Sequence, residues 1–238
     1  MSRRKTRKTI QSCCSFVLLL VFAPAYVAAT PTGLNNIPTA DTPPDRTVVL
    51  QAFTNMREGQ MDDYVVGFKM GLEPLDVGLH PFDHQLEWGI DKRVGEGGSA
   101  PAVFQFKYAV QPYEQWPTLA IGAANIGVSS DNRRKVGQPF TYVVATHDFG
   151  WCRGHAGYGF QQKNDAAFFG LDKTIQVCER DLMLRTDVIQ IDDQDQWLGS
   201  MGFIYSLLDN VAVESWVSVP FEHGKTVFTI KLNLVIEF

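Results

Sequence analysis

The sequence predicts an all-β protein: a closed antiparallel transmembrane β-barrel of about twelve strands, with ten also compatible. Three observations predict it. From Thr47 onward, apolar residues recur with period two, not the period of a helix. The runs are about 9–11 residues long, which matches a tilted membrane-spanning strand. Their other face carries Lys, Glu, Asp, Gln and Arg, so the interior is expected to be polar and the exterior apolar. A soluble sandwich, the competing all-β architecture, would bury the apolar face instead.

Composition narrows the class. The chain has 238 residues, 45% hydrophobic and 20% charged, which excludes wholesale disorder. Its 12 prolines and 20 glycines are scattered, which argues against long helices. The formal net charge of −5 mixes two unlike segments. Residues 1–29 hold five Lys/Arg and no Asp/Glu, so the remainder carries 16 basic against 26 acidic residues, a net of −10. A chain that acidic does not recruit nucleic acid through phosphates.

Residues 1–29 read as a signal peptide. Arg3, Arg4, Lys5, Arg7 and Lys8 form a basic start, Cys13 to Ala23 an apolar core, and Val27-Ala28-Ala29 a small-residue cleavage site. Pro24 closes the core, which suits a signal peptide better than a spanning helix. Residues 30–46, rich in Pro, Thr and Asn, form a periplasmic lead-in or a partial plug. Residues 47–238 form the barrel.

Strands are expected near 47–54, 63–73, 84–93, 102–111, 118–128, 140–148, 153–162, 167–177, 182–191, 197–207, 211–220 and 226–238. Phe104, Phe106, Tyr108 and Val110 alternate with Gln105, Lys107, Ala109 and Gln111; Leu86, Trp88 and Ile90 alternate with Glu87, Gly89 and Asp91. The faces of 118–128 and 140–148 are ambiguous, and a bulge near 77–83 would reconcile Val77 and Leu79 with Leu86 and Trp88. Turn residues such as Gly95-Glu96-Gly97-Gly98, Lys163-Asn164-Asp165 and His223-Gly224 separate the runs. Tyr64, Tyr113, Trp116, Phe140, Phe149, Trp151 and Trp197 lie near strand ends, as interfacial girdles would.

The polar rows supply the lumen-lining candidates: Lys69, Glu87, Asp91, Arg93, Gln105, Lys107, Arg153, His155, Asp172, Arg185, Asp187, Glu214 and Lys231, with Gln176 and Glu237 on the same faces. Charges of both signs appear, so they either line a pore or pair across a narrow lumen and occlude it. Arg185 and Asp187, two residues apart on one strand, could satisfy each other.

No enzyme signature emerges. No GxSxG or phosphate-binding Gly motif is present, and no His has a Ser two residues away. His147 and Asp148 are neighbours on a strand and point to opposite faces. His80 and His84 have helical ligand spacing, but Pro81 and the strand pattern oppose a helix. Asp192, Asp193 and Asp195 read as a solvated loop tip. No catalytic residue, metal ligand or cofactor is assigned. Cys152 and Cys178, the two cysteines after the signal peptide, either pair or remain separate thiols.

The chain resembles bacterial outer-membrane β-barrel proteins. The residues that carry the resemblance are the ending Phe228-Thr-Ile-Lys-Leu-Asn-Leu-Val-Ile-Glu-Phe238, with Phe228, Ile230, Leu232, Leu234, Ile236 and Phe238 on the apolar face. In that class a final strand ending in an aromatic residue is the signal read by the barrel-assembly machinery. A second likeness, Gly33-Leu-Asn-Asn-Ile-Pro-Thr-Ala40 before the first strand, is similar to YjbH-type barrels associated with exopolysaccharide. The resemblance implies residence in outer-membrane lipid, and the signal peptide implies export through the inner membrane; if the last strand ends in the periplasm, an even strand number puts the N-terminus there too. It implies a passive, porin-like role: a narrow pore for small polar solutes or a structural envelope component. The alternatives are an envelope enzyme or binding barrel with a loop site, and a soluble secreted β-sandwich.

Overall fold

The computed structural model describes residues 32–61, 64–73, 83–94, 102–127, 138–161, 165–191 and 196–238. Residues 1–29, expected to be a signal peptide, residues 77–82 of the expected bulge, His80 and the Asp192, Asp193 and Asp195 tip lie outside the described residues.

Thirteen strand segments follow one another along the chain. They are β1 (Thr47–Arg57), β2 (Gln60–Met61), β3 (Tyr64–Leu72), β4 (Asp83–Val94), β5 (Ala102–Gln111), β6 (Thr118–Gly127) and β7 (Phe140–Asp148), then β8 (Arg153–Phe160), β9 (Ala166–Val177), β10 (Arg180–Ile191), β11 (Gln196–Leu208), β12 (Val211–Pro220) and β13 (Val227–Glu237). All pair antiparallel in one sheet, the two-residue β2 with β1 alone, and β13 pairs back onto β1. That seam runs unbroken from Thr47↔Glu237 to Arg57↔Val227, and the Phe238 N–H donates to Arg46 O just beyond it. Twelve strands therefore close a barrel, and no full-length strand edge is left unpaired. A single closed sheet overturns the sandwich alternative.

The expected strands are recovered within three residues at each end. The largest difference is β1, which continues to Arg57. Glu58 and Gly59 both adopt positive φ (52° and 77°), which makes a tight two-residue turn, and Gln60–Met61 folds back on β1. Cys178 and Glu179 (φ 52° and 64°) form the same kind of turn between β9 and β10. Cys178 is exposed there, Cys152 is buried, and both are free thiols.

The ambiguous face of β6 has a physical cause. The β5–β6 register shifts between Phe104↔Ile126 and Phe106↔Ala123, and Asn125 takes φ 57°. This bulge inserts one residue and reverses the in/out phase of the strand. A second irregularity lies at Ser206/Leu208.

The outer surface is apolar along most of its strands. Leu119, Ile121, Val143, Phe169, Leu171, Leu184, Met201, Phe203 and Leu232 are all exposed. Tyr113, Trp116, Phe149 and Trp151 are exposed in the connections at the end of the barrel where β1 begins and β13 ends. Phe140 departs from the girdle expectation: its ring stacks on Tyr142, 5.9 Å away, and packs inward.

Candidate functional site

Polar side chains that strand alternation turns away from the apolar exterior meet inside the barrel. Bonds that skip a strand fix their direction: Gln51 on β1 donates to Asp91 on β4, past β3. Arg185 Nη2 on β10 reaches Glu214 Oε2 on β12, past β11, at 2.6 Å. Lys69, Glu87, Asp91, Gln105, Lys107, His155, Asp172, Arg185, Asp187, Glu214 and Lys231 are all buried. Arg153 and Arg93 are half-buried. Gln176 and Glu237 fall at strand ends and are exposed.

The charges are arranged in pairs and small networks. Lys107 and Glu87, both wholly buried, stand 3.2 Å apart. Glu214 collects Arg185, Lys231 at 3.2 Å and the Asn233 amide. Arg185 also lies over the Trp216 ring, 5.4 Å from its centre. Lys69 is buried with no hydrogen bond or salt bridge to any described residue. The expected partnership of Arg185 with Asp187 is not formed. Arg185 turns to Glu214, while Asp187 accepts from Ser200 Oγ at 2.6 Å and from two backbone amides. The cause is competition: each finds a better-placed partner on another element.

Those two amides belong to the segment before β1. Residues 32–44 fold back on themselves, with Gly33 bridged to Pro38, Leu34 N–H donating to Ile37 O, and Thr39 N–H to Thr32 O. This small hairpin lies inside the barrel. At its tip, Asn35 N–H and Asn36 N–H donate to Asp187 Oδ2 at 2.8 and 3.3 Å. The Asn36 amide donates to Ser200 Oγ at 2.5 Å and Ser218 Oγ at 2.9 Å. Nearer its base, Thr32 N–H donates to Glu87 at 2.8 Å, and Lys107 Nζ donates to Thr32 O and Asp41 O. Asp41 also pairs with Arg153 at 2.9 Å.

The other edge of the hairpin is apolar. Leu34, Ile37 and Ala40 join Ala109, Ala120, Tyr142, Val144 and Phe168 in one buried cluster, flanked by Phe140 and Ile189. The wall residues of this cluster break the polar-inside rule, which explains why β7 shows no clear polar face. Two glycines make the fit: a Cβ on Gly157 would meet the Phe168 ring, and one on Gly170 would meet Leu34 and Ile37.

A relay of three side chains was hidden from sequence scanning because it spans three strands. Thr146 Oγ1 lies 2.9 Å from His155 Nδ1, and His155 Nε2 lies 2.9 Å from Asp172 Oδ2. Thr146 Oγ1 also accepts from Ala40 N–H at 2.9 Å. A proton on Nε2 satisfies every member: Nε2–H donates to Asp172, and Nδ1 accepts from Thr146. The hydroxyl is buried against the hairpin, so this relay holds Ala40. Among the described residues, no group of three or more His, Cys, Asp or Glu is placed to hold a metal.

Neutral wall residues were also missed. Gln51, Ser200, Ser218, Thr229 and Asn233 are buried beside the charges. Their signal was only their alternation with apolar residues, which the charged residues display more plainly.

No protein-family model matches the sequence, and no curated protein matches it. Solved structures do. The KdgM porin superposes with a TM-score of 0.54 at 7% identity, over 78% of this chain and 98% of that one. The KdgM porin in complex with disordered oligogalacturonate superposes with a TM-score of 0.51, at the same identity and coverage. The Acinetobacter baumannii outer membrane protein Omp33 reaches 0.49 at 9% identity, over 82% of this chain and 99% of that one. At such identities the likeness is one of architecture: this chain has the closed antiparallel barrel fold of porins.

Proposed function

We infer that the protein is a bacterial outer-membrane barrel that offers small polar solutes a passive path and performs no chemistry of its own. One observation carries this reading: a closed barrel whose exterior is apolar encloses a lumen of buried charges and amides. Such a surface is stable in lipid, and such an interior replaces part of a polar solute's hydration. The oligogalacturonate complex of the KdgM porin, a protein of the same fold, supports a polar solute as the kind of cargo. Export by the 1–29 signal and assembly through the Phe238 ending belong to the same reading. Thr146 would be the nucleophile of any hydrolytic alternative, but its hydroxyl is buried and already bound by Ala40.

The test is conductance of the refolded mature chain in a planar bilayer. The reading expects discrete steps that scale with salt. Lys69→Glu reverses a lumen charge without breaking a salt bridge among the described residues, so it should shift ion preference toward cations. A folded barrel whose ion preference ignores Lys69→Glu would count against these side chains as the lining of the path.

A further inference from the structure

The geometry points to a peptide-binding site built into the lumen, whose resident ligand is the chain's own hairpin 32–44, acting as a plug that closes the path. The inference rests on the pore reading and adds the state in which the pore is kept. Three independent features of the wall are shaped to this ligand.

The first is the pair of amides at the tip. Two consecutive backbone N–H groups point at one carboxylate, Asp187, which is buried and has no cation within salt-bridge distance among the described residues. A buried carboxylate without a cation is costly unless donors surround it. The hairpin supplies two of those donors. The second is the apolar seat. Tyr142, Val144 and Phe168 face a lumen that is polar elsewhere, and they are covered by Leu34 and Ile37. Water would be a poor replacement for that edge. The third is steric. Gly170 leaves the space that Leu34 and Ile37 fill, and Gly71 leaves the space that the Pro43 and Pro44 carbonyls fill.

The bound segment crosses most of the lumen. It bonds to β4 through Glu87, to β8 through Arg153 and to β12 through Ser218. A solute must pass it or displace it. The ligand class is therefore a short hairpin with an Asn-Asn tip, one apolar edge and free backbone donors. It enters from the end where β1 begins and β13 ends, because its base leads directly into β1 beside Phe238.

The experiment uses the full mature chain in planar bilayers, with Cys152→Ser and Cys178→Ser as the background. Leu34→Asp loosens the plug from the hairpin side and leaves every wall residue intact. Asn36→Cys with Ser218→Cys, bridged by a short bifunctional thiosulfonate, fixes the plug in place until reductant removes the bridge. The inference expects a mostly closed parent and an open fraction raised at least about tenfold by Leu34→Asp. It expects silence from the bridged protein, with the parent's behaviour regained on reduction. Equal conductance in the parent, Leu34→Asp and bridged proteins would overturn the plug and leave the pore reading standing. Silence from all three, in barrels verified as folded by heat-shifted gel migration, would overturn both. If Leu34→Asp fails to fold, the bridged and reduced states still decide the matter.

Discussion

The inner wall has two unlike sectors. Across β5 to β9 the inward residues include Ala109, Ala120, Tyr142, Val144 and Phe168, packed dry against the hairpin. Across β10, β12, β13 and β1 they include Arg185, Glu214, Lys231, Asn233 and Gln51, held to one another or to Asp91 by hydrogen bonds and salt bridges. The first sector is held by packing with a second chain segment. The second is held chiefly within the wall, and among the described residues only Asp187 and Ser218 of its strands reach the polar tip of the hairpin. The difference teaches that a barrel interior need not be one solvent: where a segment of fixed shape rests on it, the inward face follows the rules of a protein core.

The sharpest way to break this comparison is Glu214→Ala. It strands Arg185 and Lys231 as buried cations, and the expected loss is about 3–5 kcal/mol of barrel stability. Urea unfolding of the refolded barrel measures it, and an unchanged midpoint would mean that this sector is solvated rather than self-contained. Phe168→Ala should cost about 3 kcal/mol, and the cost should fall on the hairpin's hold as well as on the wall. Faster proteolysis at residues 32–44 is the expected sign. Barrel loss with an unchanged cleavage rate would show that the seat does not hold the hairpin. Thr146→Val removes the acceptor for Ala40 N–H and the partner of His155 at nearly constant volume. About 1–2 kcal/mol should be lost, and faster hydrogen exchange at Ala40 should report it. The mildest test changes no residue. A water-soluble thiol reagent should label exposed Cys178 quickly and buried Cys152 slowly, since the first lies in an open turn.

Most of the barrel is legible in the sequence because alternation is a local signal. Gln105 and Lys107 announce their face through Phe104, Phe106 and Tyr108 beside them. Twelve strands, their order and their antiparallel sense follow from such runs and short turns. What alternation cannot give is the partner of each lumen side chain, because partners lie on other strands. Arg185 and Asp187 look like a pair along the chain, yet each bonds to residues that register and curvature bring near. The Thr146, His155 and Asp172 relay is invisible for the same reason. The ambiguous faces of β6 and β7 were informative. One reflects the extra residue at Asn125, and the other reflects the contact with Leu34, Ile37 and Ala40. The Pro- and Asn-rich segment 30–46 gave no periodic signal, since a single short hairpin has too few residues to show one.

The seam carries a consequence for the order of events in making the protein. Thr47 and Glu237 stand side by side, so the first strand waits for the last before the cylinder exists. The Asn36 amide bonds to Ser218, 182 positions later in the chain, on a strand that only the final one follows. The hairpin is the earliest described part of the chain, and its seat is nearly the last to be complete. A chain truncated before β12 would have no Ser218 for the tip to grip and no partner to close β1. Occupancy of the lumen by residues 32–44 thus acts as a checkmark on a finished wall.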